Sequence, residues 1–277
     1  MAADLPSAPR TVSERFGLAV AWTSTSLVLL FLLAPILAII PLSFSSGSFL
    51  TYPLPGWSLR WYEELLSSEK WLPALRNSLI VGLSSTLLAT VLGTLAAMGL
   101  TRARFPMKPL VMALLMSPMI VPVVITAIGV YFAFAPLRLT GTYTGLIIAH
   151  TALGAPFVVI TVSATLSQFD SSLARAASSL GAPPLVAFRR VILPIIVPGV
   201  ASGALFAFAT SFDEVVVALM IAGPEQRTLP REMFIGIRES INPAITAVAT
   251  VLIVTSVLLL LCLEMLRRRS AQLAGGR

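Results

Sequence analysis

The sequence predicts an all-α integral membrane protein with six transmembrane helices, and two observations support this. The 277 residues are 57% hydrophobic and 11% charged, with a mean hydropathy of +0.92, whereas soluble domains are roughly 45–50% apolar and about 25% charged. Six stretches are also apolar over the ~20 residues that a helix needs to cross a bilayer. A soluble enzyme is therefore excluded, because so few charges could not cover a water-facing surface.

The six predicted spans form a domain of residues 16–266, between an N-terminal tail of residues 1–15 and a C-terminal tail of residues 267–277. The first apolar stretch is longer than the roughly 7–15 residues of a signal-peptide core, and no A-x-A site follows it, so we expect a retained span. The spans run from Phe16 to Leu42, Ser78 to Leu100, Pro109 to Phe134, Tyr143 to Leu166, Ile195 to Ile221 and Ala244 to Leu266.

The basic residues predict the orientation of these spans. If the N-terminus is cytoplasmic, twelve of the nineteen Lys and Arg residues fall in cytoplasmic segments and seven fall outside. Cytoplasmic loops carry an excess of Lys and Arg, so both termini are expected in the cytoplasm. This distribution accounts for the formal charge of +7, and we expect no nucleic-acid partner.

Small residues recur at every fourth position in two of the predicted spans. Membrane helices associate through small side chains that let their backbones approach closely. We therefore expect the second and fifth spans to belong to a tight bundle. The stripes consist of Ser85, Ala89, Gly93 and Ala97 in the second span and Gly199, Gly203, Ala207 and Ser211 in the fifth.

Two adjacent acids, Asp213 and Glu214, lie inside the predicted fifth span, in its outer part. A carboxylate in hydrocarbon costs at least a few kcal/mol, so it normally faces a partner, a cavity or a pathway. One interpretation is a structural ion pair or helix-end contact with Arg227 or Arg231. The other is an electronegative lining for a cationic solute.

Other polar and aromatic side chains in the spans have two interpretations each. His150 in the fourth span is expected to be a hydrogen-bonding residue between helices, with a proton relay as the alternative. Tyr131, Phe132 and Phe134 end the third span, where an aromatic belt at the outer interface is expected. A cation–π contact from one of these rings is the functional alternative.

The segment from Ser167 to Pro194, which is cytoplasmic in this orientation, has the pattern of two short helices joined at Gly181. Asp170 or Ser171 suits the first N-cap, and a glycine suits a left-handed helix end. The expected apolar positions are Leu173, Ala176, Ala177 and Leu180 in the first helix and Leu185, Phe188 and Ile192 in the second. Such an exposed apolar stripe requires a partner.

Two runs of this loop, Ala176 to Ala182 and Phe188 to Pro194, resemble the "EAA" loop of ABC importer permeases. The resemblance implies the six-span MetI-like fold and a loop that docks as a coupling helix on a cytoplasmic ATPase, so we call the segment from Ser167 to Pro194 the coupling loop. Arg175 stands where that family usually has the Glu of EAA, so the acid contribution is missing here. The implied ATPase-coupling residues are Arg175, Ala176, Ala177, Leu180, Gly181, Ala182 and Phe188.

Stretches outside the loop are similar to the spermidine/putrescine (PotC-like) subfamily of these permeases. They include Trp61-Tyr62, Asn77-Ser78, Met116-Ser117-Pro118, Pro156 to Val159, Ser211 to Val217, Gly223-Pro224, Thr228-Leu229-Pro230 and Ile241-Asn242-Pro243. The resemblance implies a bacterial inner-membrane importer for polyamines or a related organic solute. Its implied partners are a second, PotB-like permease, two ATPase subunits and an extracytoplasmic solute-binding protein. The expected solute pathway includes Asp213, Glu214, Phe212 and Tyr131.

The sequence has no motif for nucleotide or metal chemistry. A P-loop needs a lysine within G-x-x-x-x-G-K-[ST], and neither Lys70 nor Lys108 has that context. One His and one Cys cannot build a Cys/His ligand set. We therefore expect no enzyme and no bound cofactor, with ATP and Mg on a partner ATPase. The alternatives are an ion-gradient-driven secondary transporter, a membrane-embedded enzyme, or an ABC importer for an amino acid, opine or phosphonate.

Overall fold

The computed structural model describes residues 12–102, 106–239 and 242–275. In these ranges the chain forms twelve α-helices, one π-helical turn and one isolated β-bridge, between Ser45 and Trp57. Most of the predicted N-terminal tail lies outside the described residues, as do Arg104 and Ile241. The helices are α1 Val12–Ser43, α2 Arg60–Ser67, α3 Trp71–Arg102, α4 Lys108–Ile120, α5 Val123–Phe134, α6 Tyr143–Ser167, α7 Ser171–Ser179, α8 Pro184–Ala187, α9 Leu193–Phe212, α10 Val216–Ile221, α11 Leu229–Glu239 and α12 Ala244–Gly275.

The centre of the fold is a bundle of α3, α6 and α9, which pack on one another more extensively than any other helices of the described chain. The small-residue stripes lie at these contacts, as the sequence predicts. A Cβ atom added at Gly93 of α3 would lie 2.7 Å from Val158 Cβ of α6, and one added at Gly203 of α9 would lie 2.7 Å from Val158 Cα. Any larger residue would therefore push the helices apart.

The predicted third span is wrong as a single helix, because the chain bends by 110° between α4 and α5. Pro122 has no N–H to continue the helical hydrogen bonds, and a residue before proline is disfavoured in the helical conformation. Val121 accordingly adopts an extended conformation. Within the described residues, five helical segments are long and apolar enough to cross a membrane, and this bent pair makes six if it counts as one span.

The predicted fifth span, Ile195 to Ile221, is also interrupted. Helix α9 ends at Phe212 and α10 begins at Val216, so Asp213 and Glu214 lie between two helices rather than inside one. Short α10 packs with α5 against the half of α6 that contains Leu146. The broken segments therefore meet on one side of the bundle.

The outer helices define two ends of the bundle. Helix α1 packs along α12, and α12 continues past residue 266, so Arg267–Arg269 lie on a helix. Thr101 near the end of α3 lines one cavity with residues of the coupling loop, and we call this the loop end. Asn77 of α3 and Tyr143 of α6 meet at the other end, which we call the α11 end because α11 packs there against α3.

Candidate solute pathway and coupling surface

At the interruption between α9 and α10, one carboxylate is exposed and the other accepts an internal hydrogen bond. Asp213 is exposed, and its carboxylate has no hydrogen-bond or ion-pair partner among the described residues. Glu214 is half-buried, and its Oε1 accepts a hydrogen bond from the backbone N of Val217 at 2.8 Å. Glu214 therefore supplies an acceptor to the free N–H groups at the start of α10, while Asp213 remains available for an external cation.

Neither acid forms the ion pair that was one of the two sequence interpretations. Arg227 Nη1 lies 3.2 Å from Glu232 Oε1, and Arg231 Nη1 donates a hydrogen bond to Gly223 O at 3.1 Å. Burial lowers the pKa of Arg231, with the nearby charge of Arg227 acting in the same direction. Both arginine side chains thus contact residues that follow α10. The interpretation of Asp213 or Glu214 as a structural ion-pair partner of Arg227 or Arg231 is wrong.

The two aromatic residues of the predicted pathway have different environments. Phe212 is 6% exposed and stacks on Phe208, with ring centroids 5.4 Å apart. Tyr131 is 41% exposed and meets Phe132 edge to face. Tyr131 therefore lies partly on the surface of the chain, whereas Phe212 packs inside it. Their roles toward a solute stay predictions.

A buried polar network joins the three central helices close to this interruption. His150 Nδ1 of α6 lies 2.8 Å from Ser211 Oγ of α9, which lies 3.0 Å from Ser85 Oγ of α3. The expected role of His150 as a hydrogen-bonding residue between helices is confirmed. Ser211 is two residues before Asp213, so the network lies in the last turn of α9.

The α11 end contains a set of hydrogen bonds, made by Asn77 and Ser78, that the sequence analysis did not predict. Asn77 Nδ2 donates to the backbone oxygens of Glu225 and Arg227 at 2.8 and 3.0 Å, and its Oδ1 accepts from Tyr143 Oη at 2.7 Å. Ser78 Oγ accepts from the backbone N of Leu229 at 2.8 Å. The Asn77-Ser78 pair was noted as part of a resemblance, but its partners lie 66 positions later, for Tyr143, and 148 to 151 positions later, for the other three residues, so no local pattern reveals them.

At the loop end, the first half of the coupling loop has the predicted structure. Asp170 Oδ1 accepts from the backbone N of Ser172 at 2.8 Å, as an N-cap should. Hydrogen bonds from the Ser172 hydroxyl and backbone N–H lower the pKa of this carboxyl. Gly181 has a φ of +79°, the left-handed conformation expected after a helix end.

The apolar stripe of α7 is uncovered in this chain. Leu180 is 88% exposed and Leu173 is 43% exposed, and Arg175 donates to Ser171 Oγ at 2.9 Å on the same helix. Gly181 and Ala176 are also exposed, and Ala177 and Ala182 are half-exposed. Such a surface is suited to a docking partner.

The second predicted helix of the coupling loop is not separate from the fifth span. Helix α8 continues through a π-helical turn, Phe188–Ile192, directly into α9. Phe188 and Ile192 pack against a core cluster that includes Leu166 of α6, whereas Leu185 is 64% exposed. Helices α8 and α9 therefore share one continuous helical backbone.

Comparison with known proteins agrees with this architecture. Residues 89–273 match the family model described as binding-protein-dependent transport system inner membrane component. The chain is 32% identical over 246 residues to the spermidine/putrescine transport system permease protein PotC of Shigella flexneri, covering 89% of this chain and 93% of the relative. It is 35% identical over 231 residues to the putrescine transport system permease protein PotI of Escherichia coli strain K12, covering 80% and 82%.

A solved structure supports the fold independently. The crystal structure of a bacterial ABC transporter involved in the import of the acidic polysaccharide alginate contains a chain that superposes with a TM-score of 0.76 at 15% identity, covering 94% of this chain and 99% of that chain. The bundle and its loop thus define a membrane-embedded permease of the MetI-like fold. The chain belongs to the family of binding-protein-dependent transport system inner membrane components, and it is an ABC importer permease.

Proposed function

We propose that this permease carries aliphatic polyamines, with Asp213 facing the solute near the outer mouth of the pathway. The observation that carries the proposal is the exposed, unpartnered Asp213 carboxylate at the interruption between α9 and α10. Among apolar helices, a carboxylate without a partner is unfavourable unless a cavity or a cation stabilises it. The names of the relatives PotC and PotI support a cationic solute.

The coupling loop is the proposed contact with the energy source. Its exposed Leu180 and Leu173 offer an apolar surface, and α8 is continuous with α9, whose end precedes Asp213. ATP-driven closure of two ATPase subunits would move α7 and α8, and α9 would carry that movement toward the pathway. The loop end is then cytoplasmic, with both termini on the same side, and the α11 end faces a solute-binding protein. A second, PotB-like permease supplies the other wall of the pathway.

Reconstitution of the complete transporter tests the proposal. This permease, the PotB-like permease and the ATPase subunits are reconstituted in liposomes loaded with ATP and Mg. The solute-binding protein is then added outside together with radiolabelled solute. The expected result is ATP-dependent accumulation of putrescine or spermidine, with no accumulation of glutamate or an alkylphosphonate. Accumulation of an anionic solute in place of the diamine would refute the polyamine assignment. Accumulation driven by an ion gradient without ATP would refute the coupling mechanism.

A further inference from the structure

A cavity of about 520 Å³ lies at the α11 end, apart from the interruption that contains Asp213. Its wall includes the backbone segment held by Asn77, so the cavity has a fixed shape. Three carboxylates and two cationic side chains line it: Glu69, Lys70, Glu225, Arg227 and Glu232.

One of these carboxylates, Glu232, is buried and incompletely satisfied. Its side chain is 1% exposed. Glu232 Oε1 is held by Arg227 Nη1 at 3.2 Å, but Oε2 accepts no hydrogen bond from the described residues. Lys70 Nζ is 3.6 Å from Oε2, which is an ion pair beyond hydrogen-bond distance. A buried acceptor that lacks a hydrogen bond is costly, so a closer donor would stabilise it.

Lys70 shows which chemistry suits this position. Its ammonium lies 3.6 Å from the Glu232 carboxylate and 5.3 Å from the ring centroid of Trp71. A carboxylate beside an aromatic face is an environment that stabilises an alkylammonium ion. The side chain of Lys70 is 39% exposed, whereas that of Glu232 is 1% exposed, so Lys70 is the partner that can swing into solvent. Because Arg227 Nη1 also lies 3.2 Å from Glu232 Oε1, the buried charge keeps one cationic partner when Lys70 departs.

We propose that this cavity binds an aliphatic diamine, and that the Lys70 ammonium is an internal occupant which the diamine displaces. With Lys70 removed, the three carboxylates and the single guanidinium of Arg227 leave a net charge of minus two. A diammonium ion neutralises that charge, placing one ammonium between Glu232 and Trp71 and the other near the exposed carboxylates of Glu69 and Glu225. The diamine as solute class rests on the proposed function; the preference for an ammonium group rests on the position of Lys70.

Binding of 1,4-diaminobutane to the assembled transporter in lipid nanodiscs, without ATP or binding protein, tests the proposal. Lys70→Met removes the internal competitor but keeps the aliphatic stem, so the diamine should bind several-fold more tightly. Glu232→Gln should weaken binding about tenfold or more. Lys108→Met is the matched control, because it removes the only other lysine and should change nothing. Uncharged 1,4-butanediol should not bind.

A gain of affinity on removing a charged residue is an outcome that general destabilisation does not produce. If Glu232→Gln fails to assemble, Glu225→Gln serves in its place, because Glu225 is exposed, and binding should weaken several-fold. Unchanged or weaker diamine binding by Lys70→Met would overturn the proposal.

The same binding measurement on the Asp213→Asn variant should still detect diamine in the cavity. If Asp213→Asn loses all diamine binding, the proposed cavity site is refuted and the proposed function stands. If the transporter carries no diamine but Lys70→Met still binds diamine more tightly, the proposed function is refuted and the cavity site stands.

Discussion

The Glu214 carboxylate accepts a hydrogen bond from the backbone N of Val217 at 2.8 Å. This bond lies where the apolar segment from Leu193 to Ile221 divides into two helices. Glu214 provides an acceptor for the first N–H groups of α10, which begins after three intervening residues. The neighbouring Asp213 is left exposed at the junction, and the two adjacent acids therefore have different roles.

Replacing Glu214 should reveal its role in stability. Glu214→Ala removes the acceptor and should lower the free energy of unfolding by about 1 kcal/mol, as loss of a helix cap does. Glu214→Gln keeps an acceptor oxygen and should be close to wild type. Thermal unfolding in detergent, followed by tryptophan fluorescence, measures both variants. Equal stability of Glu214→Ala and wild type would contradict a capping role.

Asp213→Asn should weaken transport without destabilising the fold. Asp213 has no partner in the described chain, so the substitution breaks no internal contact. Loss of one charge-assisted hydrogen bond, worth roughly 1.5–3 kcal/mol, should raise the half-saturating diamine concentration about tenfold or more. Initial uptake rates in the reconstituted transporter provide the measurement. Glu64→Gln, an exposed acid on α2, is the control with the same change of charge, and a Glu64 effect of equal size would remove the case for Asp213.

Leu180→Asp should separate assembly with the ATPase from folding. Leu180 is 88% exposed, so a charge there costs the isolated permease little. If a partner covers the side chain, the loss of roughly 1.5–3 kcal/mol of burial should weaken ATPase association about tenfold or more. Co-purification and titration with the ATPase subunit measure this. Leu66→Asp, on α2 and 63% exposed, should associate normally, and normal association of Leu180→Asp as well would show that α7 is not the docking surface.

Ser211→Ala should destabilise the central bundle. It removes the partner of His150 Nδ1, while Ser85 Oγ keeps its hydrogen bond to Gly82 O at 3.2 Å, and an unsatisfied buried polar group costs about 1–3 kcal/mol. Thermal unfolding is again the measurement. Thr86→Val is a suitable control, because Thr86 Oγ1 is buried without a hydrogen-bond partner among the described residues and its removal should be neutral or stabilising. If both variants have the same melting temperature, the network contributes nothing.

Much of the architecture could be predicted from local patterns. The apolar stretches indicated the spans, and the Gly203 stripe indicated a contact that the structure shows against Val158 of α6. Gly181 and Asp170 marked the two ends of α7 correctly. These predictions succeed because hydropathy, small-residue spacing and helix caps act over a few residues and are insensitive to what packs nearby.

The failures have a common physical origin. Hydropathy does not change at the bend before Pro122 or at the junction after Phe212, so both segments read as continuous spans. At the first, proline geometry turns the chain by 110°, and at the second the Glu214 side chain accepts a hydrogen bond at the start of a new helix. Both features depend on one or two residues, and composition over a window of ~20 residues does not record them.

The sequence by itself determined that this chain is a helical membrane protein, because burial of apolar residues in lipid depends on composition and period. Only the tertiary structure decided which carboxylate is exposed and which carboxylates have partners within the chain. Asp213, Glu214 and Glu232 are alike as residues, but one is exposed, one accepts a backbone hydrogen bond and one is buried beside two cations. The difference arises from neighbours that the fold brings together, since the charge state and availability of a carboxylate depend on groups within a few ångströms, wherever they lie in the chain.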